Sequence, residues 1–173
     1  MEKKPVSYFV VGIILGMVSI ILFLVYYFTG LSFQKTALSW LPPLVTIGML
    51  IYFVVQYSNA KRNYVTFGEL FGYGFKSTII LTLISFAFTA LALYIIFPDY
   101  KDKVLEMSRL QMEQQSSISE QQKDASINFM EKSFNLLALG GTLFANIIIG
   151  IIGSLLGAAI AKKNPVTPFN QTV

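Results

Sequence analysis

The chain has 173 residues, a length that suits one compact domain, and the absence of cysteine and histidine removes disulfide frameworks, thiol nucleophiles, imidazole bases and the usual zinc ligands. A hydrophobic share of 54% and a mean hydropathy of +0.62 exceed what a soluble core of this size needs, so the composition is that of a membrane protein. The net charge of +4 does not point to nucleic acid, because the basic residues gather at the ends of apolar runs, as membrane topology requires.

Lys3 and Lys4 precede the first apolar run, about 8–28. That run is longer than a signal-peptide core and no Ala-x-Ala site follows it, so a retained transmembrane helix is expected. Gly12 and Gly16 share one of its faces and would let another backbone approach. The polar break that follows contains Gly30 and Lys35. The second run, about 38–57, opens on Trp40, Pro42 and Pro43, an interfacial anchor followed by prolines in a first helical turn, where a missing N–H costs nothing. Lys61 and Arg62 form a basic cluster after it, and Lys162 and Lys163 form another after the fourth run. All three clusters have the same parity, so the positive-inside rule predicts that both termini are cytoplasmic.

The third span is expected over about 76–97, with Pro98 as its stop. Before it, Thr66-Phe67-Gly68-Glu69 matches a capping box, and Val65 and Leu70 are spaced as a hydrophobic staple. Glu69 and Lys76, seven residues apart, occupy one helix face. They admit two readings: an ion or proton site, or a helix cap with a lysine that snorkels to the interface. Gly68, Gly72 and Gly74 do not make a nucleotide loop without a preceding strand, and Gly68 with Gly72 is expected to be a face for close helix packing.

Residues 99–133 are polar and rich in helix formers, with Lys101, Lys103, Arg109, Lys123 and Lys132 against seven carboxylates. A helix or helical hairpin is expected there, outside the membrane. Its apolar stripe of Met107, Leu110, Ile118, Ala125 and Phe129 is weak, which leaves open a solvated connector or a docking surface. The fourth span, about 135–161, places Gly141, Ala145, Gly153 and Gly157 at four-residue spacing, a face that must associate by close packing because lipid offers little hydrophobic drive. Its partner is either another span of this chain or another subunit. Asn146 is the strongly polar side chain within this span, and it is expected to face another helix, as a packing hydrogen bond or a substrate contact. The tail, with Pro165 and Pro168, carries no apolar pattern.

The expected architecture is therefore an all-α membrane protein, residues 1–173 as one polytopic domain, with four transmembrane helices in a bundle and a polar helical segment between the third and fourth. The order of features, with Phe67-Gly68-Glu69 and Tyr73-Gly74 as its most specific part, resembles a family of uncharacterised four-span bacterial membrane proteins classed as a domain of unknown function. The resemblance implies a bacterial cytoplasmic-membrane location and brings no ligand or catalytic residue. No catalytic constellation or metal cluster is visible, so an enzyme is not expected, nor are a cofactor or nucleic acid. The expected partners are the lipid bilayer and a second copy or another envelope membrane protein. Two functions follow: a non-enzymatic scaffold or assembly subunit, or a small transporter or channel-like protein with a polar path through Glu69, Lys76 and Asn146.

Overall fold

Long charge-free runs become long helices. In a computed structural model describing residues 4–33, 37–114 and 119–164, these are α1 (Tyr8–Phe28), α2 (Leu41–Ala60), α3 (Phe67–Leu91), α4 (Tyr100–Glu113) and α5 (Glu120–Ile160). There is no strand among the described residues, and four helical stretches are long and apolar enough to cross a membrane. Lys3, Lys35, Ile118, Pro165 and Pro168 lie outside the described residues.

Local chemistry sets the helix ends. Ser7 Oγ accepts the Phe9 N–H at 3.2 Å to start α1, and α2 carries its prolines in the first turn, directly after the exposed Trp40. Two successive residues with positive φ, Arg62 at 55° and Asn63 at 65°, turn the chain from α2 into α3. Thr66 Oγ1 accepts the Glu69 N–H at 3.2 Å, and the staple residues Val65 and Leu70 are both buried in one cluster. At its far end α3 widens into a π-turn over Ala92–Ile96, closed by the Phe97 N–H donating to Ala92 O at 2.8 Å, immediately before Pro98.

α5 is a single helix of 41 residues, so it runs about 60 Å, roughly twice the thickness of a bilayer's hydrocarbon core. Lys132 is its last charge before Lys162, which divides it into a membrane-compatible part and a polar first part. That first part pairs with α4 as a hairpin, with Leu105, Ile127 and Phe134 buried between them. Ser119 and Gln122 close a reciprocal capping box at its tip.

In the bundle, α3 packs between α1 and α5, α5 also packs on α2, and α1 scarcely touches α2. Each main contact uses small residues. A Cβ added at Gly12 would lie 2.7 Å from Ser77 O, and one at Gly16 would lie 2.8 Å from Ile84 Cγ2, so α1 and α3 meet nearly backbone to backbone. Gly150 faces Thr78, and Gly74 faces Ser154, between α3 and α5. Gly153 and Gly157 face Leu50 and Val54 of α2. The buried core of Val11, Leu15, Leu50, Val54, Leu70, Leu81 and Ala158 is assembled around these contacts.

The bundle has two distinct ends. The start of α1, the α2–α3 turn and the end of α5 meet at one, since Tyr73 donates its hydroxyl to Val6 O at 2.9 Å and Ser58 donates to Lys162 O at 2.6 Å. This is called the terminal end below, and the end bearing α4 is the hairpin end.

Candidate functional site

Glu69 sits in the first turn of α3 at the terminal end. Its carboxylate does not return to the Thr66 N–H as a capping box would require. Instead it accepts the Tyr57 hydroxyl at 2.9 Å and lies 3.6 Å from Lys61 Nζ. Lys61 Nζ also stands 5.6 Å above the Tyr57 ring, which stacks on Tyr73 with centroids 4.1 Å apart. The glutamate therefore ties the end of α2 to the start of α3. Its side chain is 38% exposed, so it is not a buried charge.

Lys76, two turns further along α3, is also exposed, and its Nζ lies 5.8 Å from the Tyr8 ring centroid on α1. Gly68 and Gly72 do not supply the expected packing face, because a Cβ at either would meet nothing within 4 Å. The reason is angular: at 100° per residue both point away from Leu70, which faces the core. Gly74, which the sequence analysis did not place on a packing face, is the glycine of this stretch that a neighbour approaches. In α5, Gly153 and Gly157 pack on α2, whereas Gly141 faces open space and Ala145 lies on a cavity wall.

That cavity, of about 260 Å³, lies at the hairpin end and is walled by all four spanning helices. Ser19 and Phe23 come from α1, Pro42 and Thr46 from α2, Ser85 and Thr89 from α3, and Thr142 and Asn146 from α5. α1 and α2, the pair with little mutual contact, both line it. A second cavity of about 290 Å³ shares Ser19, Phe23 and Pro42 and continues to Tyr26, Ser32, Ser39 and Tyr100, at the base of the hairpin. Among the described residues, no Asp, Glu, Lys or Arg lines either cavity.

The hydroxyls around the first cavity are unequally engaged. Thr46, Thr89 and Thr142 donate to the carbonyls four residues before them, at 3.0, 2.8 and 2.9 Å, and Thr89 and Thr142 lie 3.5 Å apart across the α3–α5 contact. Ser85 Oγ, by contrast, is buried with no partner. Asn146 is half-buried on the wall, and its side chain forms no hydrogen bond among the described residues, where a packing hydrogen bond was anticipated.

The three polar candidates are thus not brought together. Ser85 stands sixteen residues after Glu69 on α3, about 24 Å along the axis, so Asn146 at the cavity and Glu69 at the terminal end occupy opposite halves of the bundle. The hydroxyls that accompany Asn146 were not among the residues expected from the sequence. Their signal was present: Thr78, Thr82, Ser85 and Thr89 recur at helical spacing along one face of α3, and Ser19, Thr46 and Thr142 stand in the other spans.

The family described as a protein of unknown function (DUF4199) matches residues 11–163, nearly the whole bundle and hairpin. The chain belongs to that family. The match takes in all four spanning helices, the Glu69 junction and the cavity, so these are parts of the DUF4199 domain itself and not appendages to it. No curated protein and no solved structure matches the chain.

Proposed function

We propose that the protein is a non-enzymatic integral-membrane scaffold, a subunit of a bacterial envelope assembly, with its termini in the cytoplasm and its hairpin outside. The observation that carries this reading is the continuity of α5. One unbroken helix forms half of the hairpin and then packs on both α2 and α3, so a partner held by the hairpin is held rigidly to the bundle. Exposed Leu110 and Phe129 on the hairpin give such a partner, a second copy or another membrane protein, apolar surface to cover. The proposed orientation is supported by Lys4, Lys61, Arg62, Lys162 and Lys163, which belong to segments that meet at the terminal end.

Crosslinking in native membranes followed by purification in mild detergent tests the proposal. A stable partner or homo-oligomer is expected, lost on Phe129→Ser with the bundle still folded. Repeated recovery of monomer alone would overturn it.

The cavity at Asn146 favours a second reading, a small transporter or channel-like protein. A reconstituted flux assay separates the two: flux that falls on Asn146→Leu supports transport, and the absence of flux supports the scaffold. Glu69→Gln is expected to leave any flux unchanged, since Glu69 lies far from the cavity.

A further inference from the structure

The cavity at the hairpin end holds hydrogen-bond donors that the protein leaves unused. Ser85 Oγ is unpartnered in a residue only 9% exposed, and the side chains of Ser19 and Asn146 have no hydrogen bond among the described residues. The threonine protons on the same walls are already given to their own helices. The protons of Ser19, Ser85 and the Asn146 amide are therefore free to be given to acceptors on an occupant. Unpaired polar groups within a membrane are unfavourable, and an occupant carrying carbonyl oxygens would relieve three of them at once.

The rest of the lining bounds the occupant further. With no ionised side chain on either cavity's wall among the described residues, a charged headgroup would lose its hydration with nothing to replace it. Ile20, Phe23, Phe88 and Ile149 make most of the surface apolar, which suits an amphiphile better than a sugar or polyol. The cavity is partly open to the outside, which gives acyl chains a way into the bilayer, and the adjoining cavity leads a small neutral head toward Ser32 and Ser39.

We propose that this cavity binds the glycerol-ester region of a neutral diacyl lipid, of diacylglycerol type, whose ester carbonyls accept hydrogen bonds from Ser19 and Asn146 and, once its buried hydroxyl turns toward the cavity, from Ser85. The site does not depend on the scaffold reading; its proximity to Tyr100 places a bound lipid beneath the hairpin that the scaffold would use.

The test uses the full chain in phosphatidylcholine nanodiscs and a photoactivatable diacylglycerol as probe. Saturable labelling is expected, displaced by dioctanoylglycerol and much less by its diether analogue, which lacks the carbonyls, or by dioctanoyl phosphatidic acid, which carries the charge. Asn146→Leu and Ser85→Ala should each weaken labelling about tenfold, the effect of one lost hydrogen bond to a buried acceptor, while Leu83→Ala on the lipid-facing side of α3 should not. Thermal unfolding of each variant identifies any that fails to fold, and the other then decides. Labelling that does not saturate, indicating a cavity filled by water alone, would overturn the proposal, as would equal displacement by the diether or by phosphatidic acid, or labelling indifferent to both substitutions.

Discussion

Tyr57 of α2 donates its hydroxyl to Glu69 of α3 at 2.9 Å, joining two helices at the very turn where the chain reverses. The bond is partly exposed and charge-assisted, and the neighbouring Lys61 at 3.6 Å adds a solvent-screened attraction of at most about 1 kcal/mol. Tyr57→Phe and Glu69→Ala should therefore each lower stability in detergent by about 1 kcal/mol, and the double variant by little more than either alone. Glu69→Gln, whose amide oxygen still accepts from Tyr57, should retain most of the stability. Strictly additive losses in the double-mutant cycle would show that the bond contributes nothing.

Two glycines of α5 should respond oppositely to the same substitution. At Gly157 a Cβ would come within 2.9 Å of Val54 Cβ and 3.2 Å of the Ile51 Cα, so Gly157→Ala must push α2 away, at a cost of about 1–3 kcal/mol. At Gly141 the same Cβ meets nothing within 4 Å, and Gly141→Ala should be neutral or stabilising by up to about 1 kcal/mol through helix propensity. Thermal unfolding of the two variants checks this. A destabilised Gly141→Ala would mean that another subunit covers that face.

The same glycines mark the boundary of what the sequence could tell. Four-residue spacing says which small residues share a helix face, and it predicts Gly68 with Gly72 as readily as Gly153 with Gly157. Whether the face has a neighbour is decided by which way Leu70 and Leu50 turn their helices into the core. The four long helices, the Thr66 cap and the Val65–Leu70 staple were legible because their causes are local. Glu69's true partner was not legible, because Tyr57 reaches it only once the Arg62–Asn63 turn has folded α2 against α3. The cavity was hidden for a related reason. It takes one or two polar residues from each of four helices, so it exists only once the four are assembled.

At the hairpin end, Lys103 Nζ lies 2.6 Å from Asp99 and donates to the Tyr27 hydroxyl at 3.1 Å, capping an aromatic cluster of Phe23, Tyr27, Phe97 and Tyr100. The hydrogen bond from Lys103 holds the Asp99 carboxyl below its ordinary value, and the same bond holds Lys103 above its own. A depressed carboxyl stabilises the fold above its unfolded value of 3.8 and loses that contribution as pH falls through the folded value. A raised lysine contributes fully below 10.5 and loses it as pH rises through its folded value. The cap should thus persist across the neutral range and weaken at both extremes. Near-ultraviolet circular dichroism of the tyrosines follows it, and Asp99→Asn should abolish the acid-side change. An unchanged acid limb in that variant would assign the transition to other carboxylates.

The end of α5 is fastened to the end of α2 and the α2–α3 turn by hydrogen bonds of unequal burial. Ser58 is fully buried and donates to Lys162 O at 2.6 Å, while Asn164 is exposed and reaches the α2–α3 turn twice, through its backbone N–H to Asn63 O at 2.7 Å and its side chain to Arg62 O at 3.1 Å. Removing the buried donor leaves a carbonyl with reduced access to water, so Ser58→Ala should cost about 1–2 kcal/mol. Asn164→Ala removes only an exposed bond and keeps the backbone one, so its cost should stay below about 0.5 kcal/mol. Amide hydrogen exchange should show the same order, with the last turn of α5 opening more readily in Ser58→Ala than in Asn164→Ala. The reverse order would mean that the exposed asparagine, and not the buried serine, fastens α5 to the α2–α3 turn.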